Sequence, residues 1–148
     1  MIEYVKGDAT YPIMEKGNNF ILHVCNNVGA WGAGFVLALS KRWDMPEALF
    51  RSTYPPLGTI QCCQVDERLF VVNMVAMAGL RSKLNPSPLN YDTLSACLRK
   101  VNIAYGRKGA AFHMPKIGAG LAGGDWATIE NIIWNELGDH IVKVYELE

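Results

Sequence analysis

At 148 residues the chain has the length of one ordinary domain of roughly 100–200 residues, with room for a proper core but not for two. Half of it is apolar and 19% is charged, which excludes a disordered chain. Fourteen basic residues balance fourteen acidic ones, so the strong electrostatic footprint of a nucleic-acid binder is missing and a small ligand is the better expectation. The start, Met1-Ile2-Glu3-Tyr4, lacks the basic region and apolar core of a signal peptide, and no run approaches the ~20 apolar residues that span a bilayer. A cytoplasmic monomer with no membrane partner is expected.

The first predicted strand is Ile2 to Lys6, and the second is the apolar run Phe20 to Cys25, which suits a strand covered on both faces. From Gly34 to Trp43, Phe35, Val36, Leu39 and Trp43 fall at helical spacing. Asp44 with Glu47 offers a capping box for a second helix through Tyr54, which Pro55-Pro56 ends. Thr59 to Val65 and Arg68 to Met77 read as strands joined at the turn Asp66-Glu67, and Gly79 to Pro88 as a loop. Asn90 caps a helix with the stripe Tyr91, Leu94, Leu98, Val101 and Tyr105, stopped at Gly106. Ala111 to Ile117 is a further strand. Asp125 then caps a helix that turns Trp126, Ile129, Ile132 and Ile133 inward, and Ile141 to Leu147 closes the chain as a strand. Trp43, Trp126 and Trp134 lie on helix stripes and are expected in the core. Alternating strands and helices predict an α/β domain spanning 1–148, with a mixed, mainly parallel sheet between helical layers and ligands beyond the carboxyl ends of strands.

Two junctions after strands are rich in glycine: Gly29-Ala30-Trp31-Gly32-Ala33-Gly34-Phe35, and Gly118-Ala119-Gly120-Leu121-Ala122-Gly123-Gly124 after Ile117. Glycine lets backbone N–H groups approach phosphate oxygens, and a following helix N-terminus adds partial positive charge. Tight turns alone explain either loop equally well; two such loops favour a grip on two phosphates. Gly118, Gly120 and Gly123 formally match GxGxxG, but too little chain follows for a dinucleotide fold, and neither loop carries the Lys-Ser or Lys-Thr pair of a Walker loop. Cys25, Cys62, Cys63 and Cys97 show no CxxC spacing, and on a strand the vicinal pair points to opposite faces, so four buried thiols are expected. His23, His113 and His140 form no metal-binding pair, and neither a metal nor a cofactor is expected.

Along nearly the whole chain these motifs resemble the macrodomain family. The matching pieces are Lys6-Gly7-Asp8-Ala9-Thr10, His23-Val24-Cys25-Asn26-Asn27 running into Gly29 to Phe35, and Met114-Pro115-Lys116-Ile117-Gly118-Ala119-Gly120-Leu121. They are most similar to the small microbial, phage and fungal branch that includes ADP-ribose 1''-phosphate phosphatases. The resemblance implies a three-layer α/β/α macrodomain. It assigns the adenine amino group to Asp8 beside Ala9, and the distal ribose to Asn26, with Asn27 the weaker of the pair. The first loop would take the diphosphate and distal ribose; Ile117 to Ala122 would take the remaining phosphate oxygens. Asp8 could instead cap a turn, Asn26 could satisfy backbone groups, and Trp31 could either cover the distal ribose or pack on Phe35 or the adjacent helix.

Catalysis is less legible. Relatives that cleave glutamyl-ADP-ribose use a lysine after the hairpin's second strand and an aspartate in the late glycine loop. This chain reads Asn73-Met74-Val75-Ala76-Met77 at the first place and Ala122 at the second, with Lys83 and Asp125 as nearby substitutes. His23, Asn26 and Asp125 are the catalytic candidates; a core histidine and a helix cap are the alternatives for the first and last. Substrate phosphate can also help to activate water, leaving the protein to position it. Arg81 and Lys83 belong to a loop able to contact the leaving portion of a substrate, although a solvated charged loop is the default. Three functions follow from the resemblance: hydrolysis of ADP-ribose 1''-phosphate to ADP-ribose and phosphate, removal of ADP-ribose from a modified protein or nucleic acid, and non-catalytic recognition of ADP-ribose.

Overall fold

The computed structural model describes residues 2–147. Five of its six strands are parallel: β1 (Ile2–Lys6), β2 (Asn19–Asn26), β4 (Leu69–Met77), β5 (Ala111–Met114) and β6 (Ile141–Glu146). β3 (Ile60–Asp66) joins antiparallel to β4 through the predicted hairpin, and the sheet order is β1-β6-β5-β2-β4-β3. Helices α1 (Phe35–Arg42) and α2 (Met45–Ser52) cover one face, and α3 (Tyr91–Tyr105) and α4 (Trp126–Leu137) the other. This is the three-layer, mainly parallel α/β architecture expected.

Strand alternation sorts the core into two layers. On one face Leu22, Val72, Met74, Phe112 and Val144 meet Leu94, Leu98, Val101, Ile129, Ile133 and Leu137. On the other, Ile21, Cys25, Val71 and Val75 meet Trp31, Leu39 and Phe50. Cys62 and Cys63 do face opposite layers; Cys62 is only half-buried, and all four thiols are free.

Three local expectations are corrected. The Asp44–Glu47 capping box does not form: Asp44 makes no side-chain cap bond, and Glu47 instead accepts from Ser40 and Arg51. Helix α2 stops at Ser52 rather than Tyr54, since a residue before proline is disfavoured in the helical region. β5 ends at Met114 rather than Ile117, because Pro115 has no N–H to continue the ladder. Of the tryptophans expected in the core, Trp43 and Trp126 are half-buried against it, and Trp134 is 51% exposed on the outer side of α4.

Candidate functional site

The chain runs from β2 towards β4 and β3 on one side, and from β5 towards β6 on the other, so neighbours β2 and β5 diverge at their carboxyl ends. That divergence is a topological switch point, where open α/β sheets leave a crevice. A cleft of about 540 Å³ occupies it, within the roughly 300–1,000 Å³ typical of small-molecule sites.

The two glycine-rich loops form its walls. Asn26, Ala30, Gly32, Ala33, Gly34 and Phe35 line one side, and Ile117, Gly118, Gly120, Leu121 and Ala122 the other. The loops meet: a Cβ built on Gly34 would lie 3.3 Å from Leu121 Cδ1. Gly34 is also the N-cap of α1 at φ 82° and ψ −147°, a conformation closed to residues with a side chain. Gly32 and Gly120 differ. Both have negative φ, and a Cβ at either would meet nothing within 4 Å. No steric demand within the fold makes them glycine. The amides of Gly32, Ala33 and Phe35, and those of Gly120 and Leu121, have no internal partner among the described residues.

Asn26 braces the first loop. Its Oδ1 accepts from the amides of Val28 and Ala30, both at 3.0 Å, and its Nδ2 donates to the Ala30 carbonyl at 2.8 Å. One N–H of the amide stays available beside the cleft. Asn27 points elsewhere, its Oδ1 accepting the Gly79 amide at 2.8 Å. Trp31 lies beneath the loop rather than over the cleft, for its ring is buried against His23 and Phe50 and its Nε1 donates to Ser40 Oγ at 2.8 Å. Gly29 and Ala119 stand outside the lining, as do Asp8 and Ala9 in the loop after β1. Asp8 uses a single oxygen, Oδ1, to accept from the Thr10 amide and hydroxyl at 2.9 and 2.8 Å, and its Oδ2 has no partner among the described residues. Arg42 of α1 donates to the Thr10 carbonyl and stacks over Tyr11, which holds this loop against the helix that borders the cleft.

His23 lies in the floor and is 2% exposed. Asn73 Nδ2 donates to the Pro46 carbonyl and to Gln61 Oε1, both at 3.1 Å, so Asn73 Oδ1 is an acceptor and the proton of His23 sits on Nε2, 2.5 Å away. Burial pulls the histidine pKa down to about 4, with the Asn73 bond working the other way. The ring is therefore neutral at pH 7, a weak base engaged in the core, and this geometry matches the core alternative better than the catalytic one. Asp125 is exposed and outside the lining; its Oδ2 accepts from the Thr128 amide and hydroxyl at 3.1 and 2.8 Å, capping α4. Asp125→Ala is expected to cost about 0.5–2 kcal/mol of stability in urea unfolding, and Asp125→Ser to recover most of it by restoring the cap.

Charge in the cleft comes from residues the sequence pattern left in the background. Among the described residues that line it, Arg81 and Lys116 are the charged ones. The Lys116 ammonium turns away to Glu146 at 3.1 Å, whereas Arg81 reaches across to the Gly120 carbonyl at 3.4 Å. Met77, Leu80 and Arg81 enter the site because β4 pairs with β2, an adjacency no local motif announces.

No family model matches the chain. Among solved structures it is similar to a Bacteroides thetaiotaomicron protein of unknown function, with 44% identity over 98% of this chain and 97% of that one and a TM-score of 0.89. Among curated proteins, the ADP-ribose 1''-phosphate phosphatase of Candida albicans is 27% identical over 90% of this chain and 92% of that protein. The chain spans only 14% and 17% of the zebrafish and mouse chromodomain-helicase-DNA-binding protein 1-like proteins that it also matches. A macrodomain protein from Streptomyces coelicolor is 39% identical over 99% of both chains, with a TM-score of 0.85. That identity along its full length, together with the two facing glycine loops at the switch point of the sheet, makes this chain a member of the macrodomain family.

Proposed function

We propose that the cleft binds ADP-ribose and that the protein hydrolyses ADP-ribose 1''-phosphate to ADP-ribose and phosphate. The observation that carries the reading is the pair Gly32 and Gly120, two glycines on facing loops whose missing side chains leave open space bordered by unpartnered amides. Such a cradle suits phosphate oxygens, to which main-chain N–H groups and the N-terminus of α1 offer hydrogen bonds and partial positive charge. Adenine falls to Asp8 beside Ala9, the diphosphate to the first loop and the distal ribose to Asn26. The Candida relative, named for this reaction, supports the substrate.

In the hydrolysis, water attacks phosphorus and the bond from phosphorus to the 1'' oxygen breaks. One proton of the water ends on that ribose oxygen and the other stays with the departing phosphate. With no carboxylate among the described lining residues and His23 neutral, the substrate's own phosphate relays the proton and the protein orients the reactants.

Titration calorimetry with ADP-ribose, followed by a phosphate-release assay on the 1''-phosphate, tests both halves. Binding without phosphate release would leave a non-catalytic reader, the second reading, which the engaged, neutral His23 favours. Absence of ADP-ribose binding would remove both. Asp8→Asn tests the adenine assignment, because it keeps the Oδ1 that Thr10 needs while replacing the free oxygen by a donor that cannot accept from an amine. Affinity should fall by about 1–3 kcal/mol with an unchanged melting temperature. Unaltered affinity would move adenine elsewhere.

A further inference from the structure

The loop that follows β4 delivers a guanidinium to the cleft on a braced support. At its root the Gly79 amide donates to Asn27 Oδ1 at 2.8 Å, and Asn85 Nδ2 donates to the carbonyls of Ala78 and Leu80 at 2.9 and 3.0 Å. Ser82 and Asn85 exchange two main-chain bonds of 3.0 and 3.1 Å beside it. Arg81 thus hangs from a closed turn rather than a free tether. Its bond to the Gly120 carbonyl is long, 3.4 Å, and the other N–H groups of the fork have no partner among the described residues. No lining carboxylate competes for the charge, and Lys116 is occupied by Glu146.

The sheet order sets where along the ligand this cation acts. β4 stands four strand spacings from β1, roughly 19 Å at about 4.8 Å per spacing. A ligand with its adenine beyond β1 at Asp8, laid across the carboxyl ends of β6, β5 and β2, brings its far end to the loop after β4. Arg81 is rooted there and reaches back across the cleft to the Gly120 carbonyl, so its fork stands between that far end and the late glycine loop.

We propose that Arg81 is a specificity-determining residue that reads an anionic group on the distal ribose, so that the 1''-phosphate is held in preference to ADP-ribose itself. This rests on the ADP-ribose reading of the cleft. An arginine fork matches phosphate oxygens in pairs and carries a charge that the neutral hydroxyl of ADP-ribose does not answer. The fork's partner, the exposed Gly120 carbonyl, also accepts from the Gly123 amide at 3.1 Å, so a phosphate takes its place without leaving a buried group unpaired.

The 148-residue chain is titrated at 4 °C with ADP-ribose and with ADP-ribose 1''-phosphate, the latter checked by chromatography for integrity after each run. The readout is the ratio of the two affinities. Wild type is expected to favour the 1''-phosphate at least tenfold, Arg81→Met to lower that ratio at least tenfold, and Arg81→Lys to retain part of it. Lys83→Met, on the same loop but outside the cleft lining, should leave the ratio unchanged. A ratio unmoved within twofold in Arg81→Met overturns the proposal while the ADP-ribose reading stands, and so does an equal loss for both nucleotides, which would put Arg81 on the diphosphate. Binding of neither nucleotide to wild type overturns the reading of the cleft and this proposal with it.

Discussion

Acidification from pH 7 to pH 4 is expected to remove about 6 kcal/mol of folding stability, roughly 3 kcal/mol for each of two buried histidines. His23 and His113 are 2% and 0% exposed, and burial lowers both pKa values from 6.5 to about 4. At His113 the Lys143 ammonium lowers the value further, while the Glu15 carboxylate opposes it. Neither ring has a ready place for a second proton. His23 Nε2–H is committed to Asn73. At His113, Nε2 donates to Asn19 Oδ1 and Nδ1 accepts from the Tyr145 hydroxyl, both at 2.8 Å, and that hydroxyl also accepts the Ile13 amide at 2.9 Å. The unfolded chain therefore binds more protons than the native one between pH 6.5 and 4. Stability is fully present above 6.5 and drains through that window. Against a total of about 5–15 kcal/mol for a domain, the loss brings the protein near unfolding at its lower edge. Unfolding free energies in urea at pH 7.5, 5.5 and 4.5 measure this directly. A His23→Gln/His113→Gln variant, if less stable at neutral pH, should show a much flatter profile, and a wild-type profile level within about 1 kcal/mol would refute the account.

Gly32→Val with Gly120→Val is expected to weaken ADP-ribose binding by at least about 30-fold with little effect on the fold. Each side chain intrudes on space that the protein leaves empty, and forcing extra methyl groups into a filled site costs about 1–3 kcal/mol apiece. The two glycines stand on different loops, so their penalties should nearly add. Stability should stay within about 0.5 kcal/mol of wild type, since neither Cβ meets a protein atom and neither φ is positive. Gly34→Val is the contrasting case. There the positive φ and the contact with Leu121 predict lost stability together with lost binding. Tight binding by the Gly32/Gly120 double variant would show that the ligand does not run between these loops.

How far the site could be read in advance differed from residue to residue. The glycine loops, the Asn90 and Asp125 caps and the hairpin were legible because each rests on chemistry confined to a few neighbouring residues. The Asp44–Glu47 box met the same local rule and failed, because Ser40 on α1 and Arg51, one turn further along α2, offered Glu47 better partners. Trp31, a large ring among glycines, looked able to cover a ligand; the Ser40 hydroxyl and the space above Phe50 drew it inward instead. Arg81 was one of several loop cations until its neighbour in space was known.

Local periodicity and turn chemistry thus determined by themselves that this is an alternating α/β chain with two glycine-rich loops after strands, since spacing along a backbone dictates which face a residue takes and where a strand must stop. Which strand lies beside which is a matter of long-range pairing, and no short stretch encodes it. Only the tertiary structure could decide that β4 borders β2, that Arg81 reaches the cleft, and that His23 is sealed against Asn73.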